Sequence, residues 1–214
     1  MKKLMILGLL ALMVSLVVGC SSCTKEKSQP AVDNVALSQG KLVVENCVST
    51  DKEYMFLHHK SDYRWFETCV LMKDFLDSED QDGTIAGVSN IFQVVDDFED
   101  GGADVYVYLI SHSENKDSID VRHGFWVEDS PMNDEAIKVT FQQAYDKLME
   151  ANCPKPHSRH CVLRKEVGPV DANPQYIFGN SKAQVYVDAV TGDVSTENPA
   201  FKGCGFGMPL GEWP

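Results

Sequence analysis

The chain is 214 residues long, 43% hydrophobic and 24% charged, a globular composition that excludes wholesale disorder and collagen-like repeats. Its 32 acidic residues against 19 basic ones give a formal charge of −13, which repels phosphate backbones and argues against a nucleic-acid partner. Seven cysteines are many for a cytosolic chain of this size and point to an oxidising compartment, a metal or lipidation.

Lys2 and Lys3 precede an apolar run over 4–18. As a helix it would reach about 22 Å, short of the ~30 Å hydrocarbon core of a bilayer. It therefore reads as the hydrophobic part of a signal peptide covering 1–19 rather than as a permanent span. The run ends in Val17-Val18-Gly19-Cys20. That ending resembles the lipobox of bacterial lipoproteins, which implies cleavage before Cys20 and acylation of its thiol and new amino group. Two or three acyl chains give stable anchoring where one is marginal. Ser21 follows where an Asp would imply retention at the inner membrane, so the same resemblance favours the outer membrane. Residues 20–38 are polar, carry Pro30 and lack apolar periodicity, and read as a lipidated flexible tether.

An N-terminal α+β unit is expected over 39–132. Within it 41–48 and 53–58 read as strands separated by Ser49, Thr50 and Asp51. A helix is expected over 62–76, because Trp65, Phe66, Cys69, Val70, Met72 and Phe75 make a broad apolar side. Strands are expected over 85–96, 104–111 and 118–128. The first also fits a helix through Val88, Ile91, Phe92, Val95 and Phe98, but Gly87 and the β-branched content favour a strand.

The second unit is expected over 133–214. Thr140-x-x-Gln143 has the form of a capping box, and Phe141, Ala144, Tyr145, Leu148 and Met149 follow at one-face helical spacing. Three strands are expected over 161–167, 175–178 and 183–189, broken by Gly168-Pro169 and by Gly179-Asn180-Ser181. The pieces Val139-Thr140-Phe141-Gln142-Gln143-Ala144 and Val185-Tyr186-Val187-Asp188-Ala189-Val190-Thr191-Gly192-Asp193-Val194 resemble a PepSY domain. The resemblance covers about 137–195. It implies one helix packed across a curved antiparallel sheet, with no catalytic set, in a family linked to peptidase inhibition or regulation at the cell envelope. Since helix then three strands reads twice, the expected fold class is α+β, with two cystatin/PepSY-like units. An apolar, Gly/Pro-rich tail closes the chain over 203–214.

With Cys20 lipidated, six cysteines remain and their pairing stays open. The most local disulfide candidate is Cys153 with Cys161, and Cys47 with Cys69 is the next. Cys153, His157, His160 and Cys161 also offer two thiolates and two imidazoles, ligands suited to zinc, but the spacing matches no common finger and a disulfide would consume both thiols, so no metal site is expected. His58 and His59 alternate on a strand and cannot converge. Ser78 to Ser89 follows a calcium loop only partly, because the bidentate Glu at its twelfth position is replaced by Ser89. No nucleophile elbow, His-Glu-x-x-His or phosphate loop occurs, so neither enzyme activity nor a cofactor is expected. The resulting expectation is a non-catalytic, envelope-anchored lipoprotein that binds a protein or peptide. Its contacts would be aromatics on open strands: Tyr106, Tyr108, Trp126, Tyr176 and Tyr186. The alternative is a metal-binding or redox envelope protein using the Cys153–Cys161 loop.

Overall fold

The structure is a computed structural model that describes residues 41–60, 62–97 and 102–202. The expected signal peptide, Cys20, the expected tether and the 203–214 tail lie outside the described residues. In chain order the elements are α1 (Val44–His59), β1 (Tyr63–Met72), β2 (Ile85–Asp97), β3 (Ala103–Ser113), β4 (Ser118–His123), β5 (Asp129–Ser130), α2 (Phe141–Glu150), β6 (His160–Glu166), β7 (Gln175–Asn180), β8 (Ala183–Asp188) and β9 (Val194–Ser195). All pairings are antiparallel, and the sheet runs β4-β3-β2-β1-β6-β7-β8-β9, with β5 added to β6. Each helix is thus followed by a meander, and the first strands of the two meanders meet in the middle.

Two expectations are corrected. The segments 41–48 and 53–58 form one helix, α1, and 62–76 holds the strand β1 instead of a helix. The buried positions of α1 are Val44, Cys47, Asp51 and Met55, at helical spacings of three, four and four. The buried carboxylate at Asp51 breaks the apolar stripe, while Phe56 and Leu57 are exposed and blur it further. In β1 the consecutive residues Trp65, Phe66, Glu67 and Thr68 are all buried. A strand covered on both faces reads as an unbroken apolar run, and such a run also satisfies helical spacing. The strand reading of 85–96 holds, and the expected 118–128 strand stops at His123, where Gly124 turns the chain at φ 142°.

Both helices lie on one face of the sheet. Val44, Cys47 and Met55 of α1 share a single core with Phe141, Ala144, Tyr145 and Leu148 of α2 and with Val70, Val88, Phe92, Ile110, Cys161, Tyr176, Phe178, Val185 and Val187 of the strands. The Phe141 ring meets Tyr176 and Phe178 at centroid distances of 6.4 and 6.0 Å, and the Tyr176 hydroxyl donates to the Val139 carbonyl at 2.8 Å. The capping box at Thr140 is formed in full. Glu45 of α1 adds a carboxylate that accepts from the Phe141 N–H at 2.6 Å, placing negative charge at the positive end of α2. In the β7–β8 hairpin Gly179 sits at φ 133°, and a Cβ there would meet the Ala183 carbonyl oxygen at 2.1 Å, so no other residue fits the turn unchanged.

Thr140→Ala is expected to cost about 1 kcal/mol of unfolding free energy through loss of the cap, and Phe141→Ala about 3–5 kcal/mol through loss of buried contacts. Urea denaturation of the two variants checks both values and their order.

Candidate functional site

The helix face carries a buried polar chain. The Trp65 indole N–H donates to Thr68 Oγ1 at 3.2 Å, and Thr68 donates to Asn90 Oδ1. The Asn90 amide donates to Asp51 Oδ2 at 2.6 Å. His112 then lies between two carboxylates, with Nε2 2.8 Å from Asp51 Oδ1 and Nδ1 3.1 Å from Asp117 Oδ1. Burial works to lower the His112 pKa, but the hydrogen bonds and charges of Asp51 and Asp117 outweigh it and hold the imidazole above its ordinary value. Burial raises the Asp51 carboxyl against the pull of His112 and Asn90. Every donor in this chain has a partner, and it ties α1 to β1, β2 and β3. It is a fastening, buried from Trp65 to His112 and reaching solvent at Asp117.

Neither α1 nor α2 lies on the second face. Toward the end of this face where β1 finishes and β3 turns into β4 lies an open depression of about 420 Å³, lined in part by Cys69, Leu71, Ser89, Ser111, Lys116 and His160. Ser89 and Ser111 face each other across β2 and β3, with their hydroxyls 2.8 Å apart. The Cys69 thiol donates to Glu67 Oε1 at 2.8 Å, and burial followed by the Glu67 charge pushes its pKa up. A thiol held protonated is a poor nucleophile, so this floor offers shape and hydrogen bonds.

The five aromatic candidates are scattered. Tyr176 is in the core under α2. Tyr186 is buried and donates to Gln184 Oε1 at 2.7 Å. Tyr106 and Tyr108 are half-buried toward the β3–β4 end of the sheet, where Tyr108 packs edge-on to His59 and Tyr106 to His123. Only Trp126 lies over the second face as a half-buried ring: its N–H donates to Gln93 Oε1 at 2.8 Å and its indole to Asp129 Oδ2 at 3.1 Å. Cys20 lies outside the described residues.

Neither expected disulfide is formed, and Cys47, Cys69, Cys153 and Cys161 are all free thiols. The sheet itself explains one of these corrections. Cys47 packs in the core beneath α1, while Cys69 alternates with the core residues Thr68 and Val70 and therefore points to the other face. Cys161 is wholly buried in the core, with Cys153 half-buried against it. In the same loop His157 stacks on Phe75 at 4.3 Å and faces Asp77 at 3.0 Å, whereas His160 lines the depression. Among the described residues, no three His, Cys, Asp or Glu side chains converge so as to hold a metal ion. Asp82, from the calcium-like loop, accepts from the Thr84 N–H in an exposed turn.

Sequence reasoning passed over two groups. One is Asp51, His112 and Asn90, whose polar character disguised core positions. The other is Glu67, Asp129, Arg164 and Glu166, brought together by the β1–β6 pairing and by the addition of β5 to β6. The spacing of Asp51 with Val44, Cys47 and Met55 is the signal that could have found the first group.

Asn90→Ala strands the Thr68 hydroxyl and one Asp51 oxygen, and is expected to cost about 2–3 kcal/mol, against within ~0.5 kcal/mol for Ser89→Ala one residue away on the depression side. Urea denaturation of the pair checks this contrast. Peptide mapping of the alkylated, unreduced protein is expected to return Cys153 and Cys161 as separate thiols, and a cross-linked peptide would contradict the structure. Compared with known proteins, the chain matches no family model, no curated protein and no solved structure.

Proposed function

We propose that the chain is a lipoprotein of the bacterial cell envelope, held at the outer membrane by acyl chains on Cys20, that binds a protein or peptide on the second face of its sheet. The observation that carries this reading is the division of labour between the two faces. Both helices and the polar chain close one face, while the other presents a depression with hydroxyl, thiol, lysine and imidazole groups around an apolar floor at Leu71. Convergent polar groups around an apolar patch fit a binding surface, and the protonated Cys69 thiol with fully partnered His112 fits one that does no chemistry.

The order helix-and-meander, twice, supports reading the described residues as two PepSY-like units joined through β1 and β6. On that reading the partner class is a peptidase, inhibited or regulated at the membrane surface. Fold alone does not carry a partner, and the assignment rests on the PepSY resemblance of 137–195.

The test is capture from detergent-solubilised native envelope with the lipidated chain. Ser89→Arg and Ser111→Arg put a long cation into the depression and are expected to cut recovery of the captured protein by roughly tenfold or more. Phe56→Ser, on an exposed part of α1, is expected to leave it unchanged. Equal recovery by all three variants would defeat the assignment of this face, and Cys20→Ser should release the protein from the membrane fraction.

A further inference from the structure

At one end of the second face, β1 and β6 part company. They pair from Leu71 with His160 as far as Glu67 with Arg164, and beyond that point β6 pairs instead with β5, Asp129 against Glu166 and Ser130 against Lys165. The Met132 N–H donates to the Trp65 carbonyl at 2.8 Å, so the segment 129–132 is wedged between the two strands. The fork this creates is crowded with charge. Glu67 and Asp129 are 6% and 4% exposed, and they face Arg164 and Glu166 of β6. The guanidinium donates to Glu166 Oε1 and lies 3.5 Å from Asp129 Oδ1, too long and oblique for a hydrogen bond. Three carboxylates therefore share one cation in a place with little water.

One of their oxygens shows how the excess is handled. Asp129 Oδ2 accepts from the Trp126 indole, but Asp129 Oδ1 is buried with no hydrogen-bond donor. The carboxyl group facing it is Glu67, whose other neighbour is the Cys69 thiol. A buried acceptor without a donor is costly; Arg164 Nε, also buried without a partner, lies 3.5 Å away without bonding to it, and a proton on the neighbouring Glu67 carboxyl would supply the donor. The remaining charged or titratable groups around the fork are Cys69 on β1, Arg164 and Glu166 on β6, and the Tyr186 phenol on β8; Gln93 on β2 and Trp126 are neutral.

We infer that Glu67 is kept as the neutral acid, donates its proton to Asp129 Oδ1, and so forms a proton-dependent latch that holds the Trp126–Ser130 segment down on the second face. This inference does not depend on what that face binds. When Glu67 loses its proton, a third buried anion appears, the hydrogen bond to Asp129 disappears, and β5 is pushed from the fork. The Glu67 pKa is raised to about 7, first by burial and next by Asp129, which places the change in the neutral range. The sign follows: a carboxyl whose folded pKa lies above its unfolded one stabilises the closed fork fully below the unfolded value, about 4.5, and loses that stabilisation as the pH rises through about 7.

Hydrogen exchange of the full chain at about pH 5.5 and 8.5, corrected for the intrinsic pH dependence of exchange, tests the latch. Protection of the amides in 126–132 is expected to fall by roughly tenfold or more at the higher pH, while the amides of α2 keep theirs. Glu67→Gln keeps the shape and a donor without the titration, and should hold the segment protected at both pH values. Asp129→Asn removes the facing charge and should shift the midpoint. His112→Gln, on the other face, should leave the response intact. Protection of 126–132 that is the same at both pH values, or a pH response that survives in Glu67→Gln, would overturn the latch. So would recovery of protection at pH 8.5 on adding calcium or magnesium chloride, since a cation and not a proton would then be closing the fork.

Discussion

The antiparallel seam between β1 and β6 is the contact on which the rest of the molecule depends. Five residue pairs, Glu67–Arg164 to Leu71–His160, join a sheet that would otherwise be two meanders with raw edges. Strand side chains alternate, so this register decides what each face contains. Thr68 with Leu163 and Val70 with Cys161 turn toward the helices and make one core out of both halves. Cys69 with Val162 and Leu71 with His160 turn the other way, and three of these four line the depression. A slip of β1 by one residue would send Thr68 and Val70 to the wrong face and deliver Cys69 to the core, at the cost of several buried contacts.

The two buried polar clusters beside this seam obey different rules. On the helix face, each donor from Trp65 to His112 points at an acceptor, and Thr68 and Asn90 sit directly opposite each other on β1 and β2. A fully satisfied chain of that kind adds little net stability over an apolar core, yet any shift of β1 against β2 breaks it, so it fixes the register. At the fork the account does not close with all carboxyls ionised. Asp129 Oδ1 and Glu166 Oε2 are buried without donors, Arg164 Nε is buried without an acceptor, and a proton on Glu67 reduces the deficit. The first cluster specifies structure, whereas the second makes structure depend on the solution.

Legibility in the sequence tracked how local each signal was. The Thr140 capping box and the one-face stripe of Phe141, Ala144, Tyr145 and Leu148 are contained within ten residues, and α2 stands where they put it. The Gly179 turn and the alternation in Val185 and Val187 fixed β7 and β8 in the same way. α1 and β1 were exchanged because each breaks its own pattern for a tertiary reason. Asp51 is a carboxylate at a core position, bearable only with Asn90 and His112 from two strands beyond. The Trp65 to Thr68 stretch is buried throughout because the second face there is covered by the 126–132 segment. The fork could not be read at all, since Glu67, Asp129 and the Arg164–Glu166 pair lie far apart along the chain and meet where β5 replaces β1 beside β6.

The fork and the depression are not independent, because one strand serves both. Glu67, Cys69 and Leu71 are consecutive side chains on the same face of β1: the first enters the fork, the third lines the depression, and Cys69 touches both. The Cys69 thiol donates to Glu67 Oε1 and thereby favours the carboxylate over the acid. An occupant that draws this thiol into its own hydrogen bond removes that support and makes Glu67 hold its proton more tightly. Linkage is reciprocal, so protonation of Glu67 must favour the same occupant by the same factor. Occupancy of the depression and closure of β5 then favour each other, coupled through a single sulfhydryl in the strand that also joins the two halves of the sheet.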